Sequence, residues 1–398
     1  MPSHDEFMRR ALGLAARAIG CTSPNPLVGS LVVRDDVVVG QGWHKAAGNR
    51  HAEVEALLNA GDAARGATLY ATLEPCSHHG RTPPCVDAIL AAGISRVVYA
   101  MADPNPAAAG GAEALRRAGV TVVEGVEESA AHELNRFFLH SIATRQPRVI
   151  LKCASSLDGK VATRSGESRW ITSAASRRRG HELRQAVDAI LVGVGTVITD
   201  DPTLDVRLDP TALAPEDVRH PRPIVLDSGG RTPSSASLVR HAARRRTLIA
   251  TTGAMPAGRR DEMTGAGCDV RVFDDKVSTD ERVPLGELLR HLGDDGVQSL
   301  LIEGGPEVSG SFLDAGLVDE VWCFIAPIII GGGGATPAIK GTGVDRLADA
   351  LRIDKPMIER LDSDLLVRGE VSQRYSAVDV APTCPTASAS FERLKERV

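Results

Sequence analysis

The chain reads as a two-domain α/β protein, and three observations carry that reading. Its 398 residues exceed what one ordinary hydrophobic core serves. Helical and strand-like apolar periods alternate along most of its length. The alternation pauses at a polar run, Thr144-Arg145-Gln146-Pro147, and restarts at Arg148. These features predict domains at residues 1–145 and 146–371. Residues 372–398, rich in Pro, Ser, Thr and Ala without a period, read as a flexible tail.

Ser3 and Glu6 form a capping-box pair for a helix reaching about Ile19, with Gly20 ending it. Leu31–Arg34 and Val37–Val39 flank Asp35-Asp36 as a hairpin. A helix runs from His51 to Asn59, a strand from Ala67 to Leu73, a helix from Cys85 to Ala92 and a strand from Arg96 to Ala100. Glu127–Ile142 reads as one connecting helix. The second domain predicts strands at Arg148–Ala154, Ala189–Gly193, Pro223–Asp227, Thr247–Thr251, Val270–Phe273, Ser299–Ile302 and Glu320–Ala326. Helices are expected at Ala174–Ala186, Leu285–Leu292 and Glu307–Ala315, and a late strand pair near Ile358–Val371.

Composition narrows the function classes. The 43% apolar and 24% charged content is that of a soluble globular chain, and a net charge of −5 argues against a dedicated nucleic-acid binder. No apolar run reaches the roughly 20 residues that span a bilayer, and no signal peptide opens the chain, so a cytoplasmic location is expected. Seven scattered cysteines fit no disulfide framework. Cys153 and Cys323, in apolar runs, read as buried small hydrophobes.

One constellation stands apart. His51, Cys76 and Cys85 offer an imidazole and two thiolates, and Glu53 adds a carboxylate unneeded as a ligand. Three protein ligands leave a fourth zinc position open for water, which a catalytic site requires and a structural site lacks. Zinc would acidify that water, and Glu53 would move its protons. A structural zinc closed by His44 or His78 is the rival reading, although it has no use for Glu53. His-x-Glu followed by Pro-Cys and a later Cys is the pattern of zinc nucleobase deaminases. The eight residues between the cysteines, rather than two, point to a larger or charged substrate.

In the second half, Leu301-Ile302-Glu303-Gly304-Gly305-Pro306 is a strand entering a helix through glycines, suited to a phosphate or to a tight turn alone. Gly193-Val194-Gly195-Thr196-Val197-Ile198 lacks the third glycine of a dinucleotide fingerprint. Gly331 to Gly334 reads as a flexible loop.

Thr72-Leu73-Glu74-Pro75-Cys76-Ser77-His78-His79-Gly80-Arg81-Thr82-Pro83-Pro84-Cys85 resembles the bifunctional riboflavin biosynthesis deaminase–reductases, as do Ser23 to Gly29 and Asp103-Pro104-Asn105-Pro106. In the second half, Lys152, Ser156 to Lys160, Gly166 to Thr172, Thr196 to Pro202 and Glu303 to Gly305 resemble the same family. The resemblance implies a cytidine-deaminase-like α/β/α sandwich followed by a dihydrofolate-reductase-like α/β domain that uses NADPH. It implies deamination of 2,5-diamino-6-(5-phosphoribosylamino)pyrimidin-4(3H)-one, then reduction of the ribosyl group to ribityl. A monofunctional deaminase with an inert second half is the alternative.

By the same resemblance, Asn25, His44 and Arg81 contact the deaminase substrate, although Asn25 also reads as a turn former between prolines. Ser155, Trp170, Thr196, Asp200, Ser228, Gly304 and Gly305 would contact NADPH. Ser168, Arg184, Leu204, Arg207 and Glu303 would line the reductase substrate pocket, with arginine suited to a phosphate. Lys152 is a candidate for polarising the sugar or shuttling a proton, against a plain salt bridge. Trp170 would cover the nicotinamide or fill core. Ile328 stands where the family often carries lysine. No His or Tyr inside these motifs offers a reductase general acid. The resemblance also favours a homo-oligomer.

Overall fold

The computed structural model describes residues 3–78, 83–106, 108–209, 218–273 and 282–372. Arg81 and the tail beyond Ser372 lie outside the described residues.

The first half runs α1 (His4–Ala16), β1 (Gly29–Arg34), β2 (Val37–Trp43), α2 (Ala52–Ala60), β3 (Thr68–Leu73), α3 (Cys85–Ala91), β4 (Arg96–Met101), α4 (Gly111–Arg117), β5 (Thr121–Val123), α5 (Glu128–Leu134) and α6 (Arg136–Thr144). Ser3 Oγ accepts the Glu6 amide, so the cap forms as expected. Asp35 and Asp36 both take positive φ, 49° and 61°, to close the β1–β2 hairpin. The sheet order is β2-β1-β3-β4-β5, with β3, β4 and β5 parallel.

Alternating side chains feed two cores. Leu31, Tyr70 and Val98 pack with Phe7, Met8 and Ala11 of α1, whereas Val32, Leu69 and Val97 pack with Ala56, Ile89 and Leu115 of α2, α3 and α4. The result is the expected α/β/α sandwich.

The expected single helix from Glu127 to Ile142 is instead two, broken at Asn135. That side chain is buried and accepts the Leu27 amide at 2.8 Å while donating to the Leu27 carbonyl at 3.1 Å. Pinning a distant loop outranks helix continuity here.

The second half contains β6 (Arg148–Ser156), β7 (Lys160–Ala162), α7 (Ala174–Ala186), β8 (Ala189–Gly193), α8 (Val194–Asp200), β9 (Arg222–Leu226), α9 (Ser237–Arg240), α10 (Ala242–Arg245), β10 (Leu248–Thr251), α11 (Ala257–Gly265), β11 (Asp269–Val272), α12 (Leu285–Asp294), β12 (Ser299–Ile302), α13 (Pro306–Asp314), β13 (Glu320–Ala326), β14 (Thr336–Pro337), β15 (Ile353–Leu361) and β16 (Asp364–Val371). Its nine-stranded sheet is ordered β11-β10-β9-β8-β12-β6-β13-β16-β15. All strands from β11 to β13 are parallel, and the β15–β16 hairpin closes the edge antiparallel. Ile150, Ile190 and Leu301 face Leu183 of α7, while Leu151, Leu191 and Leu300 face α12 and α13.

Cys153 and Cys323 are cross-strand neighbours, Sγ to Sγ 3.3 Å, and are only partly buried. The 144–147 segment is packed rather than free: a Cβ on Gly293 would lie 2.1 Å from the Arg145 carbonyl oxygen. Ser23 and Pro24 meet Gln298, and Arg136 meets Glu320, across the two halves.

At Gly29 a Cβ would fall 2.0 Å from the Ala11 carbonyl oxygen, so α1 lies against β1 backbone to backbone. Gly29→Ala should lower stability by about 1–3 kcal/mol in a urea titration.

Candidate active sites

The first site forms where three element ends meet: His51 caps α2, Cys76 follows β3 and Cys85 opens α3. His51 Nδ1 lies 3.2 Å from Cys85 Sγ and 3.6 Å from Cys76 Sγ. A zinc tetrahedron with N and S arms of 2.0–2.3 Å has edges of about 3.3–3.8 Å, so the trio fits that ion. Among the described residues, no fourth His, Cys, Asp or Glu joins the cluster. His44 cannot close it, because Nε2 pairs with Asn25 Nδ2 at 3.0 Å and Nδ1 with the Arg50 carbonyl at 3.1 Å. Cys76 and Cys85 share one proton: the hydrogen bond from Cys85 pulls the Cys76 thiol well below its usual value and pushes the Cys85 thiol up, and a cation bound between them displaces that proton.

Glu53 is 3% exposed, and its Oε2 is buried without a hydrogen-bond partner. Burial pushes its carboxyl upward against the opposing pull of His51. Such an orphaned acceptor beside three ligand atoms fits a group that handles protons at the open metal position.

A cavity of about 390 Å³ opens on this cluster, lined by Asn25, His44, Glu53, Asp103, Asn105 and Phe138, among others. Asn25 is therefore more than a turn former. Glu74 is a residue the motif reading quoted without a role. Its Oε1 accepts the Gly110 and Ala112 amides at 3.1 and 3.0 Å, and its Oε2 accepts the Asp103 amide at 3.3 Å. It ties Asp103 to the start of α4, between which Asn105 and Ala108 line the cavity.

The second site lies on the α7 face of the larger sheet, where β12 ends beside the middle of the adjacent, longer parallel strand β6. Lys152 Nζ is 3.6 Å from Glu303 Oε2. Arg184 grips Glu303 with Nε and Nη2 at 2.8 and 2.9 Å and gives Nη1 to the Asp205 carbonyl at 3.0 Å. Burial would raise Glu303, but Arg184 and then Lys152 outweigh it and hold the carboxylate far below its usual range. Arg184 thus orients Glu303, with its fork already filled. Lys152 is both salt-bridged and part of the cavity wall.

That cavity measures about 540 Å³ and brings together Lys152, Ser168, Trp170, Arg184, Arg207 and Glu303. Trp170 is 68% exposed with the Arg177 guanidinium 4.7 Å above its ring, so it does not fill core. Leu204 is buried in the core, outside this lining. His181, which no motif flagged, is inside it.

The remaining cofactor candidates flank the next strand ends. Gly193 and Gly304 both abut Val308, where a Cβ would lie 2.8 and 2.7 Å from its side chain. A Cβ on Gly305 would meet only Thr196 Oγ1, at 3.6 Å. The starts of α8 and α13 thus lie beside one another, with the Gly305 backbone bare of side-chain cover except for Thr196, which fits a pyrophosphate. Ser155 is buried on β6, Asp200 sits 3.7 Å from Arg169, and Ser228 Oγ accepts the Val283 amide at 3.3 Å.

Fold and sites together define a two-headed α/β enzyme, a zinc-site deaminase fused to a reductase. Comparison with known proteins agrees. Residues 1–101 match the cytidine and deoxycytidylate deaminase zinc-binding region, and residues 147–367 match the RibD C-terminal domain. A riboflavin biosynthesis protein RibD from Actinobacillus pleuropneumoniae is 42% identical over 363 residues, 91% of this chain and 94% of that one. RibD of Acinetobacter baumannii superposes with a TM-score of 0.82 at 37% identity, covering 92% of this chain and 98% of the other. A Thermotoga maritima diaminohydroxyphosphoribosylaminopyrimidine deaminase/5-amino-6-(5-phosphoribosylamino)uracil reductase gives 0.79 at 34%, with coverage of 92% and 98%. The chain belongs to the RibD family of riboflavin biosynthesis proteins and joins a deaminase to a reductase. Matches to both halves favour two activities over a deaminase with an inert partner domain.

A Cβ at Gly111 would fall 1.7 Å from the carbonyl oxygen of Pro75, immediately before Cys76. Gly111→Ala should therefore displace a metal ligand and lower bound zinc per chain, measured by atomic emission.

Proposed function

We propose that residues 1–145 deaminate 2,5-diamino-6-(5-phosphoribosylamino)pyrimidin-4(3H)-one and that residues 146–371 reduce the product's ribosyl group with NADPH. The observation that carries this reading is the pairing of an open His51–Cys76–Cys85 cluster with the orphaned Glu53 carboxylate. Zinc held by those three ligands would supply an acidified water. Glu53 takes a proton from that water and delivers it to the ring nitrogen, then takes the proton of the hydroxyl newly bonded to the ring carbon and gives it to the amino group that leaves as ammonia. Asn25, its amide oriented by His44, binds the pyrimidine edge, in the cavity that Asn105 of the Glu74-tied segment also lines.

In the second half, bound NADPH would supply the hydride, with its pyrophosphate at Gly304-Gly305 and Thr196, contacts from Ser155, Asp200 and Ser228, and its nicotinamide under Trp170. Lys152 sits where it can hold a proton against the sugar oxygen, and Glu303 keeps it aimed. Ser168 and Arg207 bind the phosphorylated substrate in the second site, as Arg81 does in the first. A phosphorylated substrate and NADPH place both reactions in the cytoplasm. Among the described residues, no helix is long and apolar enough to cross a membrane. The exposed edge strand β15, with Met357 and Ile358 on its surface, supports a homo-oligomer.

The two activities separate cleanly by assay. Glu53→Gln should retain zinc and lose deamination by about 10²–10⁴-fold, read as ammonia release. Retained turnover in that variant would sink the assigned role. Lys152→Ala and Glu303→Ala should slow NADPH oxidation on the deaminated substrate while ammonia release continues. Chelation of zinc should do the reverse.

A further inference from the structure

His181 occupies the wall between the floor of the reductase cavity and its basic rim. On α7 it falls between Arg177 and Arg184 at spacings of four and three residues, so all three share the face turned to the cavity. Below it, the Arg184 fork is filled by Glu303 and the Asp205 carbonyl. Around the rim, Arg178 and Arg207 are exposed.

The ring's hydrogen bonding sets its chemistry. The Arg207 backbone amide donates to His181 Nδ1 at 3.3 Å. An amide can only donate, so Nδ1 must be the unprotonated nitrogen and the proton of the neutral ring lies on Nε2. The neighbouring His220 does the same for the Val206 amide, at 3.1 Å, so two imidazoles anchor this loop. Among these, only His181 lines the cavity.

We propose that His181 is a substrate-binding residue of the reductase, a neutral imidazole that donates Nε2–H to an oxygen of the substrate's phosphorylated sugar chain. This rests on the reading of the second site as a reductase for a phosphoribosylated pyrimidine. Its surroundings keep the ring neutral. Burial, followed by Arg184 on its own helix and Arg207 on the facing loop, lowers its pKa to about 4, against the opposing influence of Glu303 at the end of β12 and of the Asp205 backbone carbonyl on the facing loop. Above about pH 5 the ring therefore carries no charge. It adds a directional donor to a cavity already rich in cations, without further like-charge repulsion. It also links the two ends of the site, since the residue that binds the sugar chain holds the loop bearing Arg207.

Two amide replacements separate the ring's two jobs. In His181→Gln the side-chain amide can reach the place of Nε2–H, whereas in His181→Asn it can replace only the Nδ1 acceptor toward the Arg207 amide. Steady-state NADPH oxidation on the deaminated substrate, in the full chain, reads the outcome, and ammonia release in the same samples reports folding. His181→Gln should keep KM within about threefold of the unaltered chain. His181→Asn and His181→Phe should raise KM about tenfold with kcat within about threefold, the loss of one hydrogen bond in a buried site. The ratio of variant to unaltered KM should be equal at pH 6 and pH 8.

A chain whose Asn variant behaves normally while Gln fails would make His181 a loop anchor only and overturn the proposal. So would three variants with unaltered KM, or a KM ratio that collapses to one at pH 8, which would mark a cationic ring. If the unaltered chain releases ammonia yet never oxidises NADPH on this substrate, the reading of the whole second site falls, and His181 with it.

Discussion

Parallel strand pairing is the constraint on which both sites depend. A parallel strand delivers its last residue to the same edge of the sheet as its neighbour's, and the chain must leave that edge through a turn or helix start. In the smaller sheet β3 and β4 place Cys76 and the Asp103 loop side by side. In the larger sheet β6 and β12 bring Lys152 against Glu303, although 150 residues separate them. Neither constellation needs a long loop to assemble it. Strand order sets the sheet side of each site, and the starts of α2 and α3 bring His51 and Cys85 to the first while α7 brings Arg184 to the second.

Backbone crowding sets the remaining tolerances. Gly111 against Pro75, and Gly193 and Gly304 against Val308, leave no space for a side chain, and each lies within a residue or two of a ligand or binding turn. Elsewhere the polar groups that matter are held by buried carboxylates rather than by packing. Glu74 receives three amides from the deaminase loop, and Glu303 receives Arg184 and Lys152. These acids orient other groups more than they react.

Periodicity and caps made most elements legible. Ser3 and Glu6 announced α1, Asp35-Asp36 the hairpin, and long apolar alternations the parallel strands. The zinc trio was equally plain, because its residue types are rare together and its spacing is local. What stayed hidden depended on distant partners. The break at Asn135 follows from Leu27, over a hundred residues away. Arg184 lines the cavity as expected, but nothing in its own segment shows Glu303 filling its fork. His181 carries no motif, and only the approach of the 205–207 loop gives its ring a defined tautomer. Short helices such as α8 and α9 escaped because seven or four residues hold too little pattern to exceed their turn-like composition.

The junction between the halves combines polar contacts, Ser23 and Pro24 with Gln298, Arg136 with Glu320 and His140 with Asp319, with close packing of Gly20 on Gln185 and of Phe137 on the second core. Between two separate proteins such contacts would also have to offset the entropy of association. A short, packed connection through Arg145 changes the arithmetic, because it raises the effective concentration of one half beside the other into the range where weak contacts stay closed. Asn135, next to Arg136, pins the Leu27 loop that leads into Asn25. Covalent fusion therefore acts as a structural ligand for the deaminase: the second half, by staying docked, buttresses a loop of the first half's binding cavity.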